Sequence, residues 1–197
     1  MRGERLSRGT LFLVVGPSGA GKDTLIDAAR AARPDIVFPR RVITRSADAG
    51  GEDHVPATVE EFDRLETEGA FALSWRAHDL AYGAPAAIEA DLAAGRDVLV
   101  NVSRAVVAEA RERFAPIRVL YVTAPTPALA ARLAERGRES AADIAERLAR
   151  STDRQPTGPD VVRIDNGGAL GEGVAAFLAA LAPADARAVS PSGESDG

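Results

Sequence analysis

The stretch Thr10-Leu-Phe-Leu-Val-Val-Gly-Pro-Ser-Gly-Ala-Gly-Lys-Asp-Thr24 decides the fold. Thr10–Val15 is an apolar, β-rich run of the length expected for a strand buried on both faces. Gly16-Pro17-Ser18-Gly19-Ala20-Gly21 breaks the run, and Lys22–Arg33 reads as a helix that Pro34 stops. Strand, glycine-rich loop and helix in this order make a nucleotide-phosphate site. The glycines let the backbone wrap with its N–H groups inward, the helix N-terminus adds positive dipole, and Lys22 reaches the outer phosphates. With 18 glycines and a single lysine in 197 residues, composition alone would give a G-x4-G-K match only about 0.008 times. One position departs from the usual pattern. Ser or Thr normally follows the lysine and offers its hydroxyl to Mg²⁺, whereas here Asp23 follows and Thr24 comes one residue later.

Outward from this stretch, the whole chain has the size of one domain, or of a core with a small lid. Its 46% hydrophobic and 27% charged residues are a globular composition. Basic residues number 24 and acidic residues 29, a net charge of −5 that leaves no electrostatic footprint for a nucleic-acid partner. The absence of cysteine excludes disulfide scaffolds, thiol nucleophiles and Cys-based zinc sites, and two histidines, His54 and His78, exclude a histidine-rich metal cluster. Leu11–Val15 is far too short to span a membrane or serve as a signal segment, so the expected setting is the cytoplasm, with no membrane partner. Every basic residue is arginine except Lys22. A compact ammonium is kept where a point charge must enter a phosphate-sized loop, a place the planar guanidinium does not fit.

The remaining chain alternates strands and helices. A short strand is predicted near Arg41–Thr44, and residues 45–57 read as a polar loop. Thr58-Val-Glu-Glu61 is a capping box opening a helix to about Glu68, which Gly69 ends, and Phe71–Arg76 reads as a strand. Tyr82-Gly83 reads as a tight segment leading to a helix that Pro85 initiates and that ends near Gly95. Val98–Val102 is the next buried strand, and Ile117–Thr123 and Val161–Asp165 are further strands. Helices are predicted after Ser103, from Thr126-Pro127 with Leu129 and Leu133 inward, from Ser140 to Arg150, and over Ala169–Leu181. Residues 182–197 have the composition of a disordered tail, and residues 1–9 that of a polar lead. The alternation argues for an α/β fold with a parallel sheet flanked by helices.

The order of motifs resembles that of guanylate kinases. It is carried by Gly16–Thr24, Val42-Ile-Thr-Arg45, Gly51-Glu52, Glu61-Phe62, Gly69-Ala-Phe71, Trp75, Tyr82-Gly83, Arg132-Leu133, Arg136-Gly137, Arg147-Leu148 and Asp165-Asn166, over about residues 10–181. The chain is still more similar to the ribose 1,5-bisphosphate phosphokinases of phosphonate breakdown. These share the loop ending Gly-Lys-Asp, the segments Arg41–Arg45 and Gly50–His54, Tyr82-Gly83, and Val100-Asn-Val-Ser-Arg104. The resemblance implies a P-loop kinase that uses ATP and Mg²⁺ on a phosphorylated ribose, with an acceptor-binding region near residues 36–95 and a lid near 135–155. A nucleoside monophosphate kinase, or a non-catalytic binding module of the same fold, is the alternative reading.

Departures from guanylate kinase bear on the acceptor. Arg45-Ser-Ala-Asp-Ala-Gly-Gly-Glu52 is one residue longer than the matching segment and lacks its second phosphate-binding arginine. Leu73-Ser74 stand before Trp75 where that family has a base-reading glutamate, and Asn101 replaces an acidic strand-end residue. A site without those carboxylates leaves the donors of guanine unpaired and is poorly suited to it. The resemblance implies ATP contacts from Gly16 to Thr24 (Pro17, Ser18, Gly19, Ala20, Gly21 and Lys22 among them), and from Arg132 and Asn166. It implies acceptor contacts from Arg41, Arg45, Glu52, Tyr82 and Asn101. Lys22, Arg136 and Arg147 are the candidate catalytic residues, the two arginines as lid residues over the transferred group, and Asp23 and Thr24 the candidate metal ligands. His54 is a weak candidate for a general base, because an acceptor phosphate oxygen is already ionised.

Overall fold

The strand expected over Thr10–Val15 forms as β1 over Leu11–Val15, with all five side chains buried. In the computed structural model, residues 9–46, 52–135 and 155–182 are described. After β1 come α1 (Lys22–Ala32), β2 (Val42–Ile43), β3 (Val55–Pro56), α2 (Val59–Thr67), β4 (Phe71–Ala77) and β5 (Leu80–Pro85). Then follow α3 (Ala87–Ala93), β6 (Val98–Asn101), a 3₁₀ turn at Arg104–Val106 leading into α4 (Val107–Arg113), β7 (Ile117–Thr123), α5 (Thr126–Glu135), β8 (Val161–Asp165) and α6 (Leu170–Ala180).

The main sheet has the order β6-β1-β7-β8 and is parallel throughout, with Leu13 opposite Val100 on one side and Val119 on the other. Because side chains alternate along a strand, β1 feeds two cores. Leu11, Leu13 and Val15 pack with Val98, Val100 and Val119 under α3 and α4, while Phe12 and Val14 pack with Leu25, Leu120 and Phe177 under α1 and α6. Each fully buried side chain of this kind contributes roughly 1.5–3 kcal/mol. Parallel pairing brings the C-terminal ends of β1, β6, β7 and β8 to one edge, the place where open α/β sheets bind ligands.

A second, smaller sheet, β3-β2-β5-β4, is built from the region expected to bind the acceptor. Here β2 runs parallel to β3 but antiparallel to β5, and β4 and β5 form a hairpin. This hairpin differs from the sequence reading. Tyr82 and Gly83 lie inside β5, and the following helix starts at Ala87. The turn is made by His78 and Asp79, both with positive φ (53° and 60°), residues without the Asn-Gly signature of such turns. Gly83 is needed for a different reason: a Cβ there would meet the Phe71 ring at 2.5 Å. The capping box of α2 forms as predicted, with Glu61 N donating to Thr58 Oγ1 at 3.1 Å and Thr58 N to Glu61 Oε2 at 2.8 Å. Arg76 and the Ser74 hydroxyl donate to Glu66, pinning α2 to β4 and holding the Glu66 carboxyl below its ordinary range, the Arg76 bond being the larger cause. Leu129 and Leu133 face inward from α5 as expected. The lead, lid and tail read from the sequence fall outside the described residues apart from residues 9, 135, 155 and 182. Among the described residues, no helix is long and apolar enough to cross a membrane.

Candidate active site

Where β1 ends, the backbone turns over the edge of the sheet. Gly16 adopts φ 152°, and a Cβ there would lie 2.1 Å from the Val122 carbonyl oxygen, so only glycine passes so close to β7. Gly21, at φ 82°, leads into α1. Lys22 curls back over the loop, its Nζ donating to the carbonyls of Gly16 and Pro17 at 2.9 Å each. The positive charge thus sits at the mouth of the loop and at the N-terminus of an eleven-residue helix. The glycine conformations and the placed ammonium fit a polyphosphate.

From below, the loop is braced. Asn166, only 3% exposed, donates from Nδ2 to the Ala20 carbonyl at 2.8 Å, and its own backbone N–H bonds to Thr123 O. Arg132 on α5 donates to Asn166 O at 2.9 Å and to Gly19 O at 3.4 Å. Both residues were singled out in the sequence as nucleotide-binding. The structure turns their side chains onto the loop itself, a bracing role that sequence reasoning missed because it joins segments more than a hundred residues apart.

Asp23 and Thr24 lie exposed in the first turn of α1. Asn101, at the end of β6, donates from Nδ2 to Asp23 Oδ1 at 3.4 Å. A carboxylate, a hydroxyl and a side-chain amide are hard oxygen donors and fit Mg²⁺, which keeps several waters and needs few protein ligands. The groups expected to serve the metal and the strand end are therefore neighbours.

On the far side of Asn101 lies the acceptor region. Arg41 is not the solvated arginine its polar surroundings suggest: it is 8% exposed. Its Nη1 donates to Asn101 O at 2.7 Å, its Nη2 pairs with Glu52, and its guanidinium lies 5.5 Å and 5.3 Å from the Trp75 and Tyr82 rings. Those two rings stack at 5.4 Å, nearly parallel at 3°. Arg45, half-buried, has Nε and Nη2 without a hydrogen-bond partner. His54 is buried, with Nδ1 2.9 Å from Glu52 O and Nε2 3.1 Å from Arg45 O. It lies between the backbone carbonyls of Arg45 and Glu52 and donates to one of them, a positioning task different from the general-base role considered for it. Arg40 supports this arrangement from outside, bonding His54 O and pairing with Asp53.

A cleft of about 260 Å³ joins the two halves, lined by Asp23, Arg30, Arg41, Glu52, Asp53 and Asn101 among others. Arg30 and Asp53 were not anticipated. Helical spacing could have found Arg30, since Asp23, Asp27 and Arg30 fall on one face of α1. Arg136 and Arg147, the lid arginines, lie outside the described residues.

A parallel sheet with a phosphate loop at its C-terminal edge, and a cleft beside it lined by both arginines and carboxylates, is the fold of the guanylate-kinase-like P-loop kinases. The structure superposes on guanylate kinase from Anaplasma phagocytophilum with a TM-score of 0.65, covering 89% of this chain and 85% of that one, at 19% identity. No protein-family model matches the sequence. It is 61% identical over 146 residues to a ribose 1,5-bisphosphate phosphokinase PhnN from Acidiphilium cryptum, covering 73% of this chain and 77% of that protein. It is also 46% identical over 185 residues to a bifunctional ribose 1,5-bisphosphokinase-thymidine phosphorylase from Azorhizobium caulinodans, covering 92% of this chain and 27% of that protein. The chain belongs to the ribose 1,5-bisphosphate phosphokinase family.

Proposed function

We propose that this protein transfers the terminal phosphoryl group of ATP to ribose 1,5-bisphosphate, giving 5-phosphoribosyl 1-diphosphate and ADP, as a cytoplasmic step of phosphonate breakdown. The observation that carries this reading is the cleft itself. On the wall of that cleft stands the buried Arg41 with Nε left without a partner, Arg45 four residues on has two more such donors, and no carboxylate occupies the positions that would read a base. The name borne by the relatives agrees. The nucleoside monophosphate kinase alternative is disfavoured by the same positions: Trp75 is buried against Tyr82 and Arg41, and Asn101 stands where an acidic residue would.

In the forward reaction an ionised oxygen of the 1-phosphate attacks the terminal phosphorus of ATP, and the bond from that phosphorus to the bridging oxygen of ADP breaks. Little base help is needed, so catalysis is positioning and charge neutralisation. Lys22 exchanges its loop carbonyls for phosphate oxygens, and the inward N–H groups of Gly16 to Thr24 hold the donor. Arg132 and Asn166 keep that loop in shape. Asp23 and Thr24 would hold Mg²⁺, which supplies charge neutralisation between donor phosphates. Arg45 and Arg41 bind the acceptor, Glu52 and Asn101 orient Arg41, and Tyr82 stacks beneath it. Arg136 and Arg147 act on charge that develops during transfer. The test is direct: purified protein with ATP and Mg²⁺ is offered ribose 1,5-bisphosphate and GMP in parallel, with ADP and product measured. Product from the sugar bisphosphate and little from GMP is expected; the reverse result refutes the assignment.

A further inference from the structure

Among the described residues, the buried side-chain nitrogen and oxygen atoms without a hydrogen-bond partner are Arg41 Nε, Arg45 Nε and Arg45 Nη2. A guanidinium carries five N–H donors in a fixed fork, and a desolvated donor left unmet is costly, more so on a charged group. Here the open donors are confined to two arginines that flank β2, one at each end. They are not equivalent. Arg41 is fixed on three sides: Asn101 O takes Nη1, Glu52 takes Nη2, and the Trp75–Tyr82 pair lies against the guanidinium. These contacts orient the group yet leave Nε unused, in a side chain more than nine-tenths buried on the wall of the cleft. Arg45 makes no ion pair with a described carboxylate, whereas Arg41 is paired with Glu52.

Building on the acceptor reading above, we propose that Arg41 determines specificity for a doubly phosphorylated sugar: Arg45 takes one phosphate group and Arg41 the other. A sugar with a single phosphate meets one open guanidinium edge and leaves the second buried and unmet. A sugar with two phosphates meets both. Glu52 is then a positioning residue, holding the Arg41 fork so that Nε faces the ligand.

The experiment is calorimetric binding, without ATP, of ribose 1,5-bisphosphate, ribose 5-phosphate and ribose 1-phosphate to the wild type, Arg41→Met and Arg41→Lys. The wild type is expected to prefer the bisphosphate over either monophosphate by about tenfold or more, one charge-assisted hydrogen bond being worth about that much. Arg41→Met should cost the bisphosphate about tenfold to a hundredfold while shifting at least one monophosphate by less than about threefold, so that the preference collapses. Arg41→Lys keeps the charge without the fork and should recover part of the preference. If Arg41→Met does not fold, the lysine variant decides by the same ratio, and a wild-type preference in it overturns the proposal. Equal losses for all three sugars, or an unchanged bisphosphate affinity, also overturn it. A wild type that neither binds nor phosphorylates the bisphosphate removes the activity assignment itself. A wild type that does both, with an unmoved preference in the variants, removes only the role of Arg41.

Discussion

The side-chain amide of Asn166 donates to the carbonyl of Ala20 at 2.8 Å, joining the end of β8 to the phosphate loop across 146 residues of chain. The contact is buried, and Asn166 is packed so closely against α6 that a Cβ on Gly173 would lie 2.2 Å from its Oδ1. Asn166→Ala leaves the Ala20 carbonyl without this partner, a loss of about 1–3 kcal/mol. The expected result is a melting temperature lowered by several degrees and a KM for ATP raised more than the KM for the sugar phosphate, read by thermal denaturation and steady-state kinetics. Wild-type values for both would show that the brace contributes nothing.

Lys22 serves the loop, where its ammonium donates to the carbonyls of Gly16 and Pro17 and its side chain is not part of either hydrophobic core. Lys22→Ala should abolish turnover with an unchanged circular-dichroism spectrum. Lys22→Arg should fail as well, because a planar fork does not fit a loop closed around a point charge. Full activity in either variant would rule out the phosphate-loop assignment.

His54 sits between the carbonyls of Glu52 and Arg45, its ring nitrogens 2.9 Å and 3.1 Å from them, and its neutral ring donates to one of the two. If its task is to position the acceptor residues, His54→Ala should raise the KM for the sugar phosphate by several-fold more than the KM for ATP, with kcat less affected. His54→Gln, which retains one donor, should recover part of the loss. A collapse of kcat with both KM values unchanged would instead favour a chemical role.

Arg136 and Arg147 are proposed to act on developing charge, and alanine at either should lower kcat more than it raises the KM for ATP. Weak ATP binding at an unchanged kcat would make them ground-state clamps.

How much of this was legible follows from which forces are local. β7 and β8 were readable to the residue, and β1 to within one, because each is a short run rich in apolar β-formers between turn residues, and the capping box of α2 is a local signal. The β4–β5 hairpin was not readable, since His78 and Asp79 take positive φ under the demand of the sheet and not by their own preference. The burial of Arg41 was hidden for a similar reason. It depends on Glu52, Asn101, Trp75 and Tyr82, which come together only through the second sheet and the end of β6. The sequence marked Arg132 and Asn166 as important, but only the fold turns them onto the loop.

The meeting of Asp23 with Asn101 carries the last prediction. P-loop enzymes commonly hold Mg²⁺ through the hydroxyl after the lysine and a carboxylate at a neighbouring strand end. Here the strand-end position is the neutral Asn101, and the carboxylate sits on α1 at Asp23, with Asn101 Nδ2 3.4 Å from its Oδ1. In the proposed arrangement Asp23 on α1 supplies the charge that the strand end lacks, and the Asn101 amide faces it. The competing view is that Asp23 serves only the helix start, where a carboxylate is favourable by about 0.3–1 kcal/mol. Substitution separates the two. Losing one charge-assisted contact of about 1.5–3 kcal/mol should make Asp23→Asn require about tenfold or more Mg²⁺ for half-maximal activity. The same variant should weaken Mn²⁺ binding to the ADP complex, followed by electron paramagnetic resonance, a readout independent of turnover. Adding Asn101→Asp returns a carboxylate to the strand end and should restore part of both. A helix-start role predicts a small fall in melting temperature and wild-type metal dependence in Asp23→Asn, and that outcome would return Asp23 to the helix.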